Sequence, residues 1–149
     1  MKIEEEIKQN TFRNPHQKAG INLLFTYQWL IHKQKDFFKP FGITNQQYNI
    51  LRILKGQYPK NISGADIKVR MLDKNSDVSR LLDRMILKKL VVKNQCPSDK
   101  RAADVSISQK GLELLKVIDI KNDSLDNILD SLTIEEATQL SNLLDKSRR

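Results

Sequence analysis

The chain has 149 residues, long enough to bury a core without cross-links and short enough for one domain. Hydrophobic residues make up 39% and charged residues 30%, with five Gly and four Pro, which excludes a disordered chain and favours long helices over loops. Cys96 is the only cysteine, so one chain can build neither a disulfide framework nor a cysteine-based zinc site, and the net charge of +8 points to a polyanion partner or to an uneven, solvated surface.

Met1 to Glu6 is acidic and lacks the apolar stretch of a signal peptide. The longest apolar runs are far shorter than the roughly 20 residues of a membrane helix. A soluble, cytoplasmic protein is therefore expected, with no membrane partner.

Residues 16–38 are predicted to form a long helix, because Leu23, Leu24, Tyr27, Leu30 and Ile31 recur at helical spacing. Pro40 stops it. Phe25, Tyr27, Trp29 and His32 could line an effector pocket there, or serve as core or subunit interface. Thr44 to Gln47 is a capping box that opens a second helix carrying Tyr48, Leu51 and Leu54, with Gly56 as a plausible stop. Ser63 can cap a third, short helix.

A fourth helix is predicted from about Asn75 to Lys89. Val78, Leu81, Leu82 and Met85 make one apolar stripe, and the other face holds Ser76, Asp77, Ser79, Arg80, Asp83 and Arg84. Such a helix fits the DNA major groove, where Arg, Ser and Asn can bond base edges. Residues near its start usually reach the bases, which favours Asn75, Ser76, Asp77, Ser79 and Arg80, with Arg84 one turn on. An ordinary solvated face has the same pattern.

Val91 to Cys96 and Asp104 to Ser108 read as two strands joined by a polar tip over 97–103. Residues 60–110 hold twelve Lys or Arg against six Asp and no Glu, a net of +6. Cys96, near Lys93, Lys100 and Arg101, could have a lowered pKa and sense oxidants, or be a small strand residue. Two further helices follow. Leu112, Leu115 and Ile118 begin one, which Leu125, Ile128, Leu129 and Leu132 continue with a possible break over 121–124. Thr133 to Glu136 caps the last, which carries Leu140, Leu143 and Leu144.

Catalytic readings find no support. His16 and His32 are the only histidines, no cluster has metal-ligand spacing, and no glycine pair forms a phosphate loop. We expect no enzyme, no metal and no cofactor.

The run from Asp99 to Gly111 resembles the signature of the MarR family of winged-helix regulators: Asp-x-Arg, a spaced Val, an apolar residue, Ser or Thr, and a Gly opening a helix. Val78 to Met85 resembles the family's recognition helix, and Lys88 to Val91 its exit into the wing, where the family often has Gly at the position of Lys89. The resemblance spans nearly the whole chain. It implies a mainly α fold with a small β wing, as one domain over 1–149. A winged helix-turn-helix would occupy 41–111, and dimerisation helices 1–40 and 112–149. It further implies a homodimer on a pseudo-palindromic operator in double-stranded DNA, as a repressor released by a small-molecule or redox signal. The resemblance places the helix from Ser76 to Arg84 in the major groove, with Lys100 and Arg101 at the wing tip near the minor groove. Asp83 and Asp99 would fix the wing. The alternative is a winged helix kept as a protein-interaction or architectural module.

Overall fold

The computed structural model describes the backbone of residues 1–96, 99–121 and 123–149, and the side chains of 1–94, 104–121 and 125–149. A short helix α1 (Ile3–Glu6) precedes the long α2 (Pro15–Phe38). The carboxylate of Glu4 accepts from Lys18 Nζ and ties the two together. Asn14 caps α2 by accepting the N–H of Gln17, and Pro15 fills the first position, where no donor is needed. The chain leaves α2 through a 3-10 turn, Lys39–Phe41, and Gly42 at φ 69° lets it reverse.

Helix α3 (Asn45–Gln57) starts at the predicted capping box, with both reciprocal bonds between Thr44 and Gln47 present. It runs through Gly56 and ends at Tyr58, which precedes Pro59 and is extended. The anticipated stop at Gly56 is thus corrected by the proline three residues on. Ile62–Ser63 forms a two-residue strand, β1, which the sequence did not reveal. Ser63 then caps α4 (Gly64–Arg70).

Helix α5 (Val78–Leu87) is shorter than the expected 75–89, because Asp77 is its cap and the residues before it make a turn of their own. It closes through backbone bonds from Lys89 N to Ile86 O and from Leu90 N to Met85 O. This closure puts Lys89 at φ 61°, a left-handed conformation that suits glycine.

Strands β2 (Val91–Cys96) and β3 (Asp99–Ile107) form the wing, and β1 adds to β3 in a three-stranded antiparallel sheet of order β1-β3-β2. The second strand begins at Asp99 rather than Asp104, since pairing with β2 extends it through Cys96↔Asp99, with a register shift after Gln95. Its Lys, Arg and Ala residues have little strand preference, which hid the extension. Helix α6 (Gln109–Ile120) is capped by Ser108. The chain continues through a short helix α7 (Asp123–Asp126), a 3-10 turn (Asn127–Leu129) and α8 (Ile134–Ser147), which starts at the predicted capping box of Thr133 and Glu136.

The core lies where α3, α4, α5, α6 and the sheet meet. Ile50, Leu51, Leu54, Ile67, Met85, Leu115 and Ile118 are sealed from solvent there. Val105 and Ile107 point into it from β3, as their alternation with Ser106 predicts. Helix α8 buries none of its residues. No helix among the described residues is long and apolar enough to cross a membrane.

Candidate nucleic-acid interface

The recognition-helix candidate is positioned at three points. Val78, Leu82 and Met85 sink into the core, leaving Ser79, Arg80, Asp83 and Arg84 exposed on the other face. The Asp77 carboxylate accepts the N–H of Arg80 at 3.1 Å and so fixes the first turn. Ahead of it, the N–H of Leu72 donates to Asn49 Oδ1 on α3 at 2.9 Å, which pins the connecting turn to the body. Within that turn Asp73 Oδ1 accepts from the N–H of Asn75 at 2.9 Å, and the Asp73 carbonyl accepts from Ser76 N.

These bonds separate the three residues expected at the helix start. Asn75 is exposed in the turn, and Asp77 is exposed but spends an oxygen on capping. Ser76 is 6% exposed, and its hydroxyl finds no partner among the described residues. Its expected place on the outward polar face is corrected: it belongs to the turn, outside the helical period, and the turn folds it inward. The side chains of Asp99, Lys100, Arg101 and Cys96 lie outside the described residues, so the wing tip, the wing-fixing pair of Asp83 with an arginine and the redox site are not seen. Nearer the base of the wing, Asn94 Nδ2 donates to Asn61 Oδ1 at 2.9 Å and to Ser106 Oγ at 3.3 Å, joining β2 to β3 and to the residue before β1.

An open cleft runs between the second half of α2, the start of α3 and the turn 71–74. Tyr27 and His32 of the four expected pocket residues line it, together with Leu30, Ile31, Lys35 and Arg52. Phe25 and Trp29 do not, because they fall on another face of α2. Among the described residues no group of three His, Cys, Asp or Glu could hold a metal ion.

A charged network that the sequence did not signal closes one end of the cleft. Arg52 Nε donates to Tyr48 Oη at 2.8 Å, and its two terminal nitrogens donate to the two carboxylate oxygens of Asp119. Lys55 Nζ stands 3.6 Å from the same carboxylate. The guanidinium lies 5.1 Å from the Tyr48 ring centre, and Tyr48 packs on Phe38 at 4.4 Å. The bond from Arg52 holds the Asp119 carboxyl below its ordinary pKa, against the opposing effect of partial burial. Burial works against the charge on Arg52, but its bonds to Asp119 and Tyr48 outweigh it and raise its pKa.

A carboxylate with a depressed pKa stabilises the fold above its unfolded pKa of about 3.9, and that contribution fades as pH falls through the lower folded value. Both partners are about a third exposed, with side-chain accessibilities of 30% and 35%. Solvent screening therefore holds the effect to about 1 kcal/mol or less. Asp119→Asn should cost about that much at pH 7 and less at about pH 3, below the unfolded value. Urea unfolding of both proteins at the two pH values checks this. An equal deficit at both would mean that the pair does not titrate as described.

A model of the MarR family matches residues 41–102, the segment from the α2–α3 turn into the wing. That segment is similar to the MarR family, and the fold of nearly the whole chain is similar to solved MarR structures. The MarR transcription factor from Planctomyces limnophilus is 28% identical, with a TM-score of 0.70 over 91% of this chain and 98% of that one. A mutant MarR from E. coli complexed with operator DNA is 22% identical, with a TM-score of 0.76 over 93% and 99%. BpsR of Bordetella bronchiseptica, described with regulation of its DNA binding by 6-hydroxynicotinic acid, is 20% identical, with a TM-score of 0.76 over 89% and 99%. At the two lower identities the likeness is one of fold. No curated protein matches the sequence. The MarR fold confirms the expected class, mainly α with a small wing. The Planctomyces limnophilus protein is described as a transcription factor.

Proposed function

We propose that this protein is a sequence-specific, DNA-binding transcriptional repressor, acting as a homodimer and released by a signal. The observation that carries the reading is α5. A helix anchored by Val78, Leu82 and Met85 offers Ser79, Arg80 and Arg84 to solvent on one rigid face. A rigid polar helix of this kind fits the major groove. The operator complex of a similar fold supports it. The dimer is supported by apolar surface left uncovered among the described residues. Leu24 is 68% exposed and Leu143 is 56% exposed, and Leu23, Tyr27 and Trp29 on α2 and Leu140 on α8 are exposed with them. Patches of this kind mark interfaces. In this reading 41–111 reads DNA, and 1–40 and 112–149 hold two copies together. The cleft lined by Tyr27 and His32 is the candidate effector site, since it borders the turn that leads into α5.

Selection of bound duplexes from a random pool tests the proposal, and an enriched inverted repeat is expected. Arg80→Ala should cost about 1–3 kcal/mol of binding and relax preference at particular positions, because Arg80 faces base edges. Arg101→Ala should weaken all operators of similar flanking shape with less change of sequence, because the minor groove carries a degenerate code. Thermal melting first confirms that both variants fold. If Arg101→Ala rewrites the preferred sequence while Arg80→Ala leaves it intact, reader and anchor are assigned the wrong way round. If nothing is enriched, the interaction-module alternative replaces the regulator.

A further inference from the structure

The helix α6 belongs to the core as far as Ile118, which is fully buried. Asp119 is the next residue, Ile120 is the last of the helix, and the chain then departs through α7 toward α8. Asp119 is thus the last ion-paired residue of α6 before the chain passes through α7, where Leu125 packs partly against the core, to α8, where Ile134 and Leu143 stand exposed. Two side chains of α3 converge on Asp119, and a third supports them. Arg52 grips both carboxylate oxygens, Lys55 approaches one of them, and Tyr48 holds the guanidinium in place from behind. Tyr48 is itself wedged against Phe38, the buried last residue of α2. A forked arginine on a carboxylate fixes orientation as well as distance, which a single lysine contact does not. The network therefore joins the ends of α2 and α6 through α3. Those two ends are where both candidate dimerisation elements meet the winged helix.

We infer that the Arg52–Asp119 clamp is a positioning device that sets the angle between the dimer arm and the winged helix, and so the spacing of the two half-sites the dimer accepts. The inference rests on the dimeric DNA-binding reading above. Two recognition helices in a dimer meet half-sites about one helical turn apart, and each added base pair rotates the second half-site by about 34°. A stiff connection cannot follow that rotation, whereas a loosened one can. The clamp lies away from the exposed face of α5, so releasing it leaves the choice of bases within each half-site unchanged.

The test selects duplexes from a random pool with the full-length wild type, Asp119→Ala and Asp119→Glu. Affinities are then measured on the enriched repeat with its spacer changed by one and two base pairs. Wild type should enrich one spacing and disfavour its neighbours by about tenfold or more. Asp119→Ala should enrich the same half-site sequence over several spacings, with neighbours within about threefold. Asp119→Glu keeps the carboxylate and should restore the single spacing. Thermal melting establishes that each variant is folded. If Asp119→Ala folds and retains the wild-type spacing preference, the clamp does not set it and the inference fails while the DNA-binding reading stands. If Asp119→Ala does not fold, Asp119→Asn takes its place with the same expectation. If the wild type enriches no repeat, the DNA-binding reading itself fails and takes the inference with it.

Discussion

Affinity for duplex DNA is expected to fall by about 10³–10⁵-fold between about 50 and 200 mM salt. The cause is the distribution of charge. Residues 60–110 carry a net of +6, against +2 for the rest of the chain. Lys60, Lys68, Arg70, Arg80, Arg84 and Lys93 are all exposed, and among the described residues none is paired with a carboxylate within 4 Å. Charges not neutralised within the protein are available to phosphates. Each phosphate contact releases condensed counterions, so log K falls with log salt at a slope near −0.9 per contact. On the order of 6–10 contacts for a dimer then gives a slope of about −5 to −9. Titrations by anisotropy at four or five salt concentrations measure it directly. A slope shallower than about −2 would leave no phosphate-binding surface of this size, and the basic segment would be a solvated face.

Local signals in the sequence located most of the frame. The boxes at Thr44 and Thr133 and the cap at Ser63 begin helices where their side chains satisfy free backbone N–H groups. The Val78, Leu82, Met85 stripe and the Val105, Ile107 alternation both face the core. Failures occurred where neighbouring residues offer equal local choices or where the partner is far along the chain. Asn75, Ser76 and Asp77 are all cap-forming types. Only the burial of Val78 and the turn built on Asp73 select Asp77, and that selection is what turns Ser76 inward. Strand β1 is two residues long and exists because β3 offers an edge at Val105 and Asp104. Arg52 and Asp119 are 67 positions apart, and nothing local to either announces the pair. Asn49 likewise looks like an ordinary helix residue until the N–H of Leu72 reaches it.

Gly111→Ala should destabilise the protein by about 3 kcal/mol or more, at the upper end of what overpacking costs. Inside a helix, replacing Gly with Ala normally stabilises by roughly 0.5–1 kcal/mol, so the sign here depends on space alone. Gly111 sits in the first turn of α6, where its N–H donates to Ser108 Oγ at 3.0 Å. A Cβ there would lie 2.5 Å from the carbonyl oxygen of Leu90 and 2.7 Å from Ile107 Cγ1. Neither atom can yield freely. The Leu90 carbonyl accepts the N–H of Ser108 at 3.0 Å, Leu90 and Ile107 are both buried, and Ile107 is paired with Val91 in the wing. Relief requires α6 to lift from the junction between α5 and the sheet, which unseats Leu115 and Ile118 from the core. Gly56→Ala supplies the control, because its Cβ would meet nothing within 4 Å in the last turns of α3, and a small gain is expected. Chemical unfolding of both variants and the wild type at one protein concentration compares the three directly. At about 2–4 °C per kcal/mol for a chain of this size, the melting temperature of Gly111→Ala should fall by about 6–12 °C. If Gly111→Ala gains stability alongside Gly56→Ala, the α6 junction has room for a methyl group, and the packing that joins α5, the wing and α6 at this point is not as tight as described.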